Sequence, residues 1–179
     1  LSDTMRGSWE TTFLISLHEQ RRVDLDNDGW SDLAQYSRQV VRPRAFWSNA
    51  AGQTLMLTGG VTFEGRKGGT DAGEVTPDGY VSKQASATER IDAGFVGRWP
   101  VGNIAFTARA SAVAQEHRHR YDTDSYELDF HRTYFAEAAA NGYLGRATWV
   151  AGVSTQTENY ENESVAGFDY VYEVPGVFA

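Results

Sequence analysis

The chain has 179 residues, 41% of them apolar and 22% charged, and a formal net charge of −8. No run approaches the roughly 18 consecutive apolar residues of a transmembrane helix, so any membrane crossing has to come through strands. The cations are 14 Arg and only Lys67 and Lys83, with no basic stripe, which argues against nucleic acid as a partner; the lack of cysteine excludes disulfides and thiolate metal sites.

Eight stretches alternate apolar and polar residues one by one, the period of a β-strand. The first, residues 7–19, sets Trp9, Thr11, Phe13, Ile15 and Leu17 against Glu10, Thr12, Leu14, Ser16 and His18. The second, 33–47, sets Val41, Pro43, Ala45 and Trp47 against Val40, Arg42, Arg44 and Phe46, and Pro43, which lacks a backbone donor, should weaken it locally. The third, 54–64, sets Leu55, Leu57, Gly59, Val61 and Phe63 against Thr54, Met56, Thr58, Gly60, Thr62 and Glu64, and the fourth, 91–99, sets Ile91, Ala93, Phe95, Gly97 and Trp99 against Asp92, Gly94, Val96 and Arg98.

The fifth runs from Ile104 towards Arg120. Ile104, Phe106, Ala108, Ala110, Ala112 and Ala114 share one side of it, and Ala105, Thr107, Arg109, Ser111, Val113 and Gln115 lie on the other. The sixth, 126–140, sets Leu128, Phe130, Tyr134, Ala136 and Ala138 against Glu127, Asp129, His131, Thr133 and Glu137; Arg132 breaks the apolar side, by snorkelling or through a bulge. The seventh, 146–157, carries Trp149, Ala151 and Val153, and the eighth starts near Gly167 and includes Tyr170, Tyr172 and Val174.

Connectors over residues 49–53, 100–103 and 141–145 are short, whereas those over 21–32, 65–90, 117–125 and 158–166 are longer and more charged, and the two classes alternate. Trp9, Trp47, Trp99 and Trp149 all fall towards the short-turn ends. A transmembrane barrel has short periplasmic turns, long extracellular loops and an aromatic girdle. A soluble antiparallel sandwich produces the same alternation with the apolar side inward. The strand lengths and the one-sided long loops favour an all-β, antiparallel transmembrane β-barrel segment of about eight strands.

The run Arg22-Val23-Asp24-Leu25-Asp26-Asn27-Asp28-Gly29-Trp30-Ser31-Asp32-Leu33, then Arg42-Pro43-Arg44-Ala45-Phe46-Trp47, then Tyr170-Val171-Tyr172-Glu173-Val174-Pro175-Gly176-Val177-Phe178-Ala179, resembles barrel segments of TonB-dependent receptors, in order along most of the chain. That resemblance implies a 22-strand outer-membrane barrel of a Gram-negative bacterium, filled by an N-terminal plug. It implies uptake of an iron-siderophore complex, cobalamin or another large nutrient, driven by the TonB complex through the plug, with membrane lipid and lipopolysaccharide around the wall. Residues 1–179 would then be an internal part of that barrel, without the plug and without the front of an exported precursor. A small eight-stranded structural or adhesion barrel and a soluble calcium-binding β-sandwich module are the rival readings.

One local motif stands out, Asp24-x-Asp26-x-Asp28-Gly29-x-x-Asp32. Carboxylates at alternate positions of a tight loop, with the Trp30 carbonyl as a further oxygen, are a pattern for a hard cation such as calcium. Gln35 stands where an EF-hand has its bidentate Glu, and an acidic hairpin turning at Asn27-Asp28-Gly29 explains the same residues without metal. His117 and His119 share a strand face with His131 close by, but Arg118 and Arg120 interleave, and a polar rim accounts for them. Arg42, Arg44, Arg98 and Arg109 share the polar side with Glu10, Glu64, Asp92, Glu127, Asp129 and Glu137 and are expected to form ion pairs lining a wet interior. No nucleophile elbow, phosphate loop or catalytic His with spaced acids is present, so no enzyme is expected.

Overall fold

In a computed structural model, residues 7–70, 75, 79–122 and 125–179 are described. They form eight strands: β1 (Gly7–Gln20), β2 (Gln35–Asn49), β3 (Thr54–Gly69), β4 (Lys83–Val101), β5 (Ile104–Tyr121), β6 (Ser125–Leu144), β7 (Ala147–Asn162) and β8 (Tyr170–Phe178). All pair antiparallel with their chain neighbours in one sheet, in the order β1 to β8. No helix occurs among the described residues. β1 and β8 are sheet edges that do not pair with one another, so these strands form an open sheet rather than a closed barrel.

Every expected strand is present, but most outrun their apolar alternation. The connectors expected over 65–90, 117–125 and 158–166 shrink to residues 70–82, 122–124 and 163–169, because β3, β4, β5 and β7 continue through charged and glycine-rich sequence. Residues 122–124 are therefore no longer a connector than the turn over residues 50–53, which corrects the expectation of a long loop there. Backbone pairing needs no apolar side chain, so a ladder once started proceeds until turn residues stop it. Positive φ at Gly102 and Gly145 permits the two-residue turns after β4 and β6.

The register aligns like with like across the whole sheet. One row reads Trp9, Trp47, Leu55, Gly97, Ala108, Ala138, Val153, Val177, one residue from each strand and all of them apolar or glycine. The next row on that face reads Thr11, Ala45, Leu57, Phe95, Ala110, Ala136, Thr155, Pro175. The apolar run does not stay level. The Trp9 row opens it on β1, where Phe13, Ile15 and Leu17 follow, yet closes it on β7, where Val153 follows Trp149 and Ala151 and precedes Thr155, Thr157 and Asn159. The long-loop edge stays nearly level from β1 to β5, where Leu17 and Phe63 share a row with Gln39, Glu89 and Glu116, while the short-turn edge lies four residues further out at Ile104 and Trp149 than at Trp9.

This face has no partner layer. Phe13 is 72% exposed, Ile15 67% and Leu17 74%, and Ala105 is the one buried apolar side chain among the described residues. The sheet has no hydrophobic core of its own, whereas a folded domain in water would cover such a face with a second layer. Two expected irregularities resolve differently. Arg132 sits on the apolar face with unbroken register to both neighbours, so no bulge exists there; its guanidinium meets Glu161 at 3.0 Å and lies over the Phe130 ring. At Pro43 the β2–β3 pairing skips residues 42 and 43 and resumes in the same register, a local gap at a residue without an N–H.

Candidate functional site

Two places gather chemistry-bearing side chains. The first is the acidic loop between β1 and β2. Its neck closes where Val23 and Leu33 exchange backbone hydrogen bonds at 3.0 Å, and it docks on the end of β3, where the Gly69 carbonyl accepts from the Ser31 amide, the Ser31 hydroxyl and Arg22. Asn27 and Gly29 turn the chain with φ of 59° and 83°. Oxygens of Asp24, Asp26 and Asp28 come within 4.8 Å of one another. Asp32 is not in that group and accepts the Leu25 N–H at 2.7 Å instead.

Each carboxylate also has a backbone duty. Asp24 accepts from Asn27 at 2.8 Å and Gly29 at 2.9 Å, Asp26 from Asp28 at 3.3 Å, and Asp28 from Trp30 at 2.8 Å. These are local turn bonds that the acidic-hairpin reading predicts. Desolvation raises the Asp24 carboxyl, but the N–H groups of Gly29 and Asn27 outweigh it and hold it below the ordinary value. The Asp28 N–H lowers Asp26, but desolvation and the charges of Asp28 and Asp32 win and push it up.

The second place is the long-loop half of the polar face. All four histidines of the chain lie on this face. One row runs His18, Arg38, Glu64, Thr88, His117, Asp129, Asn162 across seven strands, and His119 and His131 lie in the rows on either side. His117 pairs with Thr88 at 2.9 Å and with Gln115, and its ring lies parallel to that of His119, which faces Asp129 at 3.9 Å. His131 meets Glu158 at 3.0 Å, and the Tyr170 hydroxyl donates to the same carboxylate at 2.8 Å. The three histidines expected near one another are thus neighbours, but among the described residues the acidic loop is the one place where three or more such ligand atoms converge.

The expected ion pairs form in part. Arg42 grips Asp92 with two hydrogen bonds, and Arg109 meets Glu137 at 2.8 Å. Glu10, Arg44 and Arg98 enter no ion pair among the described residues. Sequence reasoning missed Gly60, which stands between Arg42 and Asp92, and the ring series His131, Tyr160, Tyr170, Tyr172, with successive centroids 6.2, 5.3 and 5.6 Å apart. For Tyr160 the signal was available, since it falls on the polar parity of β7 with Ser154 and Glu158, but on β8 the tyrosines share their parity with Val174 and Gly176, and only the register places them on the polar face. A groove of about 880 Å³ opens on the same face, with Arg38, Arg42, Arg90, His18 and His117 along its walls.

Comparison with protein-family models, with curated proteins and with solved structures returned no match.

Proposed function

We propose that this sheet is a section of the wall of an outer-membrane β-barrel of the TonB-dependent receptor type, serving the uptake of an iron-siderophore complex or a similarly large nutrient. One observation carries the membrane reading: the apolar band, exposed on a single-layer sheet and rimmed by tryptophan at its short-turn edge. From Ile104 to Ala114 on β5 the band covers about 33 Å of strand at ~3.3 Å per residue, which a tilt of roughly 40° turns into a height near 25 Å, that of a barrel's lipid-facing belt.

The receptor assignment rests on the resemblance of three ordered segments, on strands of 14 to 20 residues in β1 to β7, and on an open sheet whose two edges need further strands. In this reading the polar face looks into the lumen, and transport belongs to the whole receptor. The experiment is a fractionation and uptake assay in the native bacterium. The parent protein should be extracted from outer membranes by detergent only, and its loss should abolish growth on the nutrient it carries to the same extent as loss of the inner-membrane energising complex. Recovery of the parent protein in a soluble fraction would overturn the reading.

A further inference from the structure

The polar-face groove carries more cationic hydrogen-bonding capacity than its carboxylates use. Asp92 has both oxygens occupied by Arg42, at 2.7 and 2.8 Å. Glu64 has one oxygen taken by the Tyr36 hydroxyl at 3.0 Å and the other by Arg66 at 3.2 Å. Arg38 and Arg90 stand outside these bonds, at 3.8 Å from Glu64 and 3.7 Å from Asp92, beyond hydrogen-bond reach. Four guanidiniums therefore face two carboxylates that two of them already satisfy.

The two surplus arginines occupy opposite sides of one strand. Arg38 is on β2 and Arg90 on β4, and between them β3 presents the buried Thr62 and the engaged Glu64. His18 and His117, in the same row as Arg38, stand at the far edges of the groove. A guanidinium presents a planar fork of donors matched to carboxylate or phosphate oxygens. The groove volume of about 880 Å³ lies within the range of small-molecule sites.

We infer that Arg38 and Arg90 form a binding site for a small solute carrying two or more oxyanion groups, one held by each guanidinium across β3. The inference rests on the barrel reading, in which this half of the polar face is the part of the lumen nearest the outer loops. It adds a substrate class, polyanionic rather than neutral or cationic, and the residues that select it.

The test is calorimetric titration of the full-length protein, purified in detergent, with citrate and with inorganic pyrophosphate at low salt. Both ligands should bind, and added salt should weaken them. Arg38→Gln and Arg90→Gln should each raise Kd about tenfold or more, while Arg44→Gln, on the same face but outside the groove, should leave it unchanged. Tighter binding of one probe assigns the oxyanion as carboxylate or phosphate. Retention of heat-modifiable migration on gels establishes that the variants still fold. Absence of binding, as when an acidic segment of the same polypeptide already fills the groove, or binding that neither substitution weakens, overturns the site. Either result leaves the barrel reading standing if the protein is in the outer membrane, and a protein recovered outside that membrane sinks the barrel reading by itself.

Discussion

Arg42 on β2 reaches across β3 to hold both carboxylate oxygens of Asp92 on β4, and it does so over the one position in that row, Gly60, that has no side chain. The pair spans two strand spacings. Asp92 is only 8% exposed, so the pair is held largely out of water. The gap in β2–β3 pairing at residues 42 and 43 falls beside the same glycine, so the side-chain bridge ties three strands together where the backbone ladder skips.

A methyl group at Gly60 would stand 2.9 Å from an Arg42 nitrogen and 3.0 Å from an Asp92 oxygen. In most strand interiors Gly→Ala gains roughly 0.5 to 1 kcal/mol. Here Gly60→Ala should instead lose stability, and Asp92→Asn should cost about 1 to 3 kcal/mol by leaving Arg42 without its counter-charge. Urea unfolding of the protein in detergent micelles measures both. A stabilising Gly60→Ala would show that the bridge carries no energy.

Four tryptophans share the short-turn rim, Trp9 directly opposite Trp47, while Trp30 belongs to the acidic loop at the far end of the strands. Quenching by brominated lipids should therefore reach variants that keep only Trp9, Trp47, Trp99 or Trp149, with strongest effect from bromines near the headgroup. A variant keeping only Trp30 should be quenched by aqueous acrylamide instead.

The acidic loop should titrate in two directions. Asp24, held below the ordinary 3.8, steadies the loop at higher pH, and this contribution is lost as pH falls through its lowered value. Asp26, pushed above 3.8, has the opposite sign: its contribution is full below the ordinary value and fades as pH rises through the raised one. Carbon-13 NMR of the aspartate carboxyls should place the Asp24 midpoint below 3.8 and that of Asp26 above it. Midpoints in the reverse order would contradict the hydrogen-bond pattern of the loop.

How far the sequence could be read depended on side-chain alternation. All eight strands were legible, because apolar and polar residues alternate wherever one face must avoid water. Several of their ends were not. At Glu89 the apolar face turns polar and the alternation ends, yet backbone pairing carries β4 back to Lys83, and β3 likewise runs on past Glu64 to Gly69. The polar-face partners were half legible. Arg42 and Asp92 were named as lumen charges, but their meeting depends on a register that joins residues 50 apart and on an absent side chain at Gly60, neither of which shows as a local pattern. The acidic loop was the reverse: its motif was plain in the sequence, while the backbone bonds taken by each carboxylate required the fold.

In the proposed barrel, the face bearing Phe13 and Ile15 meets lipid. The chain has no cysteine, so single cysteines report cleanly. With Ile15→Cys and Ala112→Cys on that face, and Ser16→Cys and Ser86→Cys on the other, labelling in intact outer membranes should separate the two pairs. The first pair should react with a membrane-soluble maleimide and resist a charged one, and the second should react with the charged reagent. Equal reaction of all four with the charged reagent would place both faces in water and contradict the barrel.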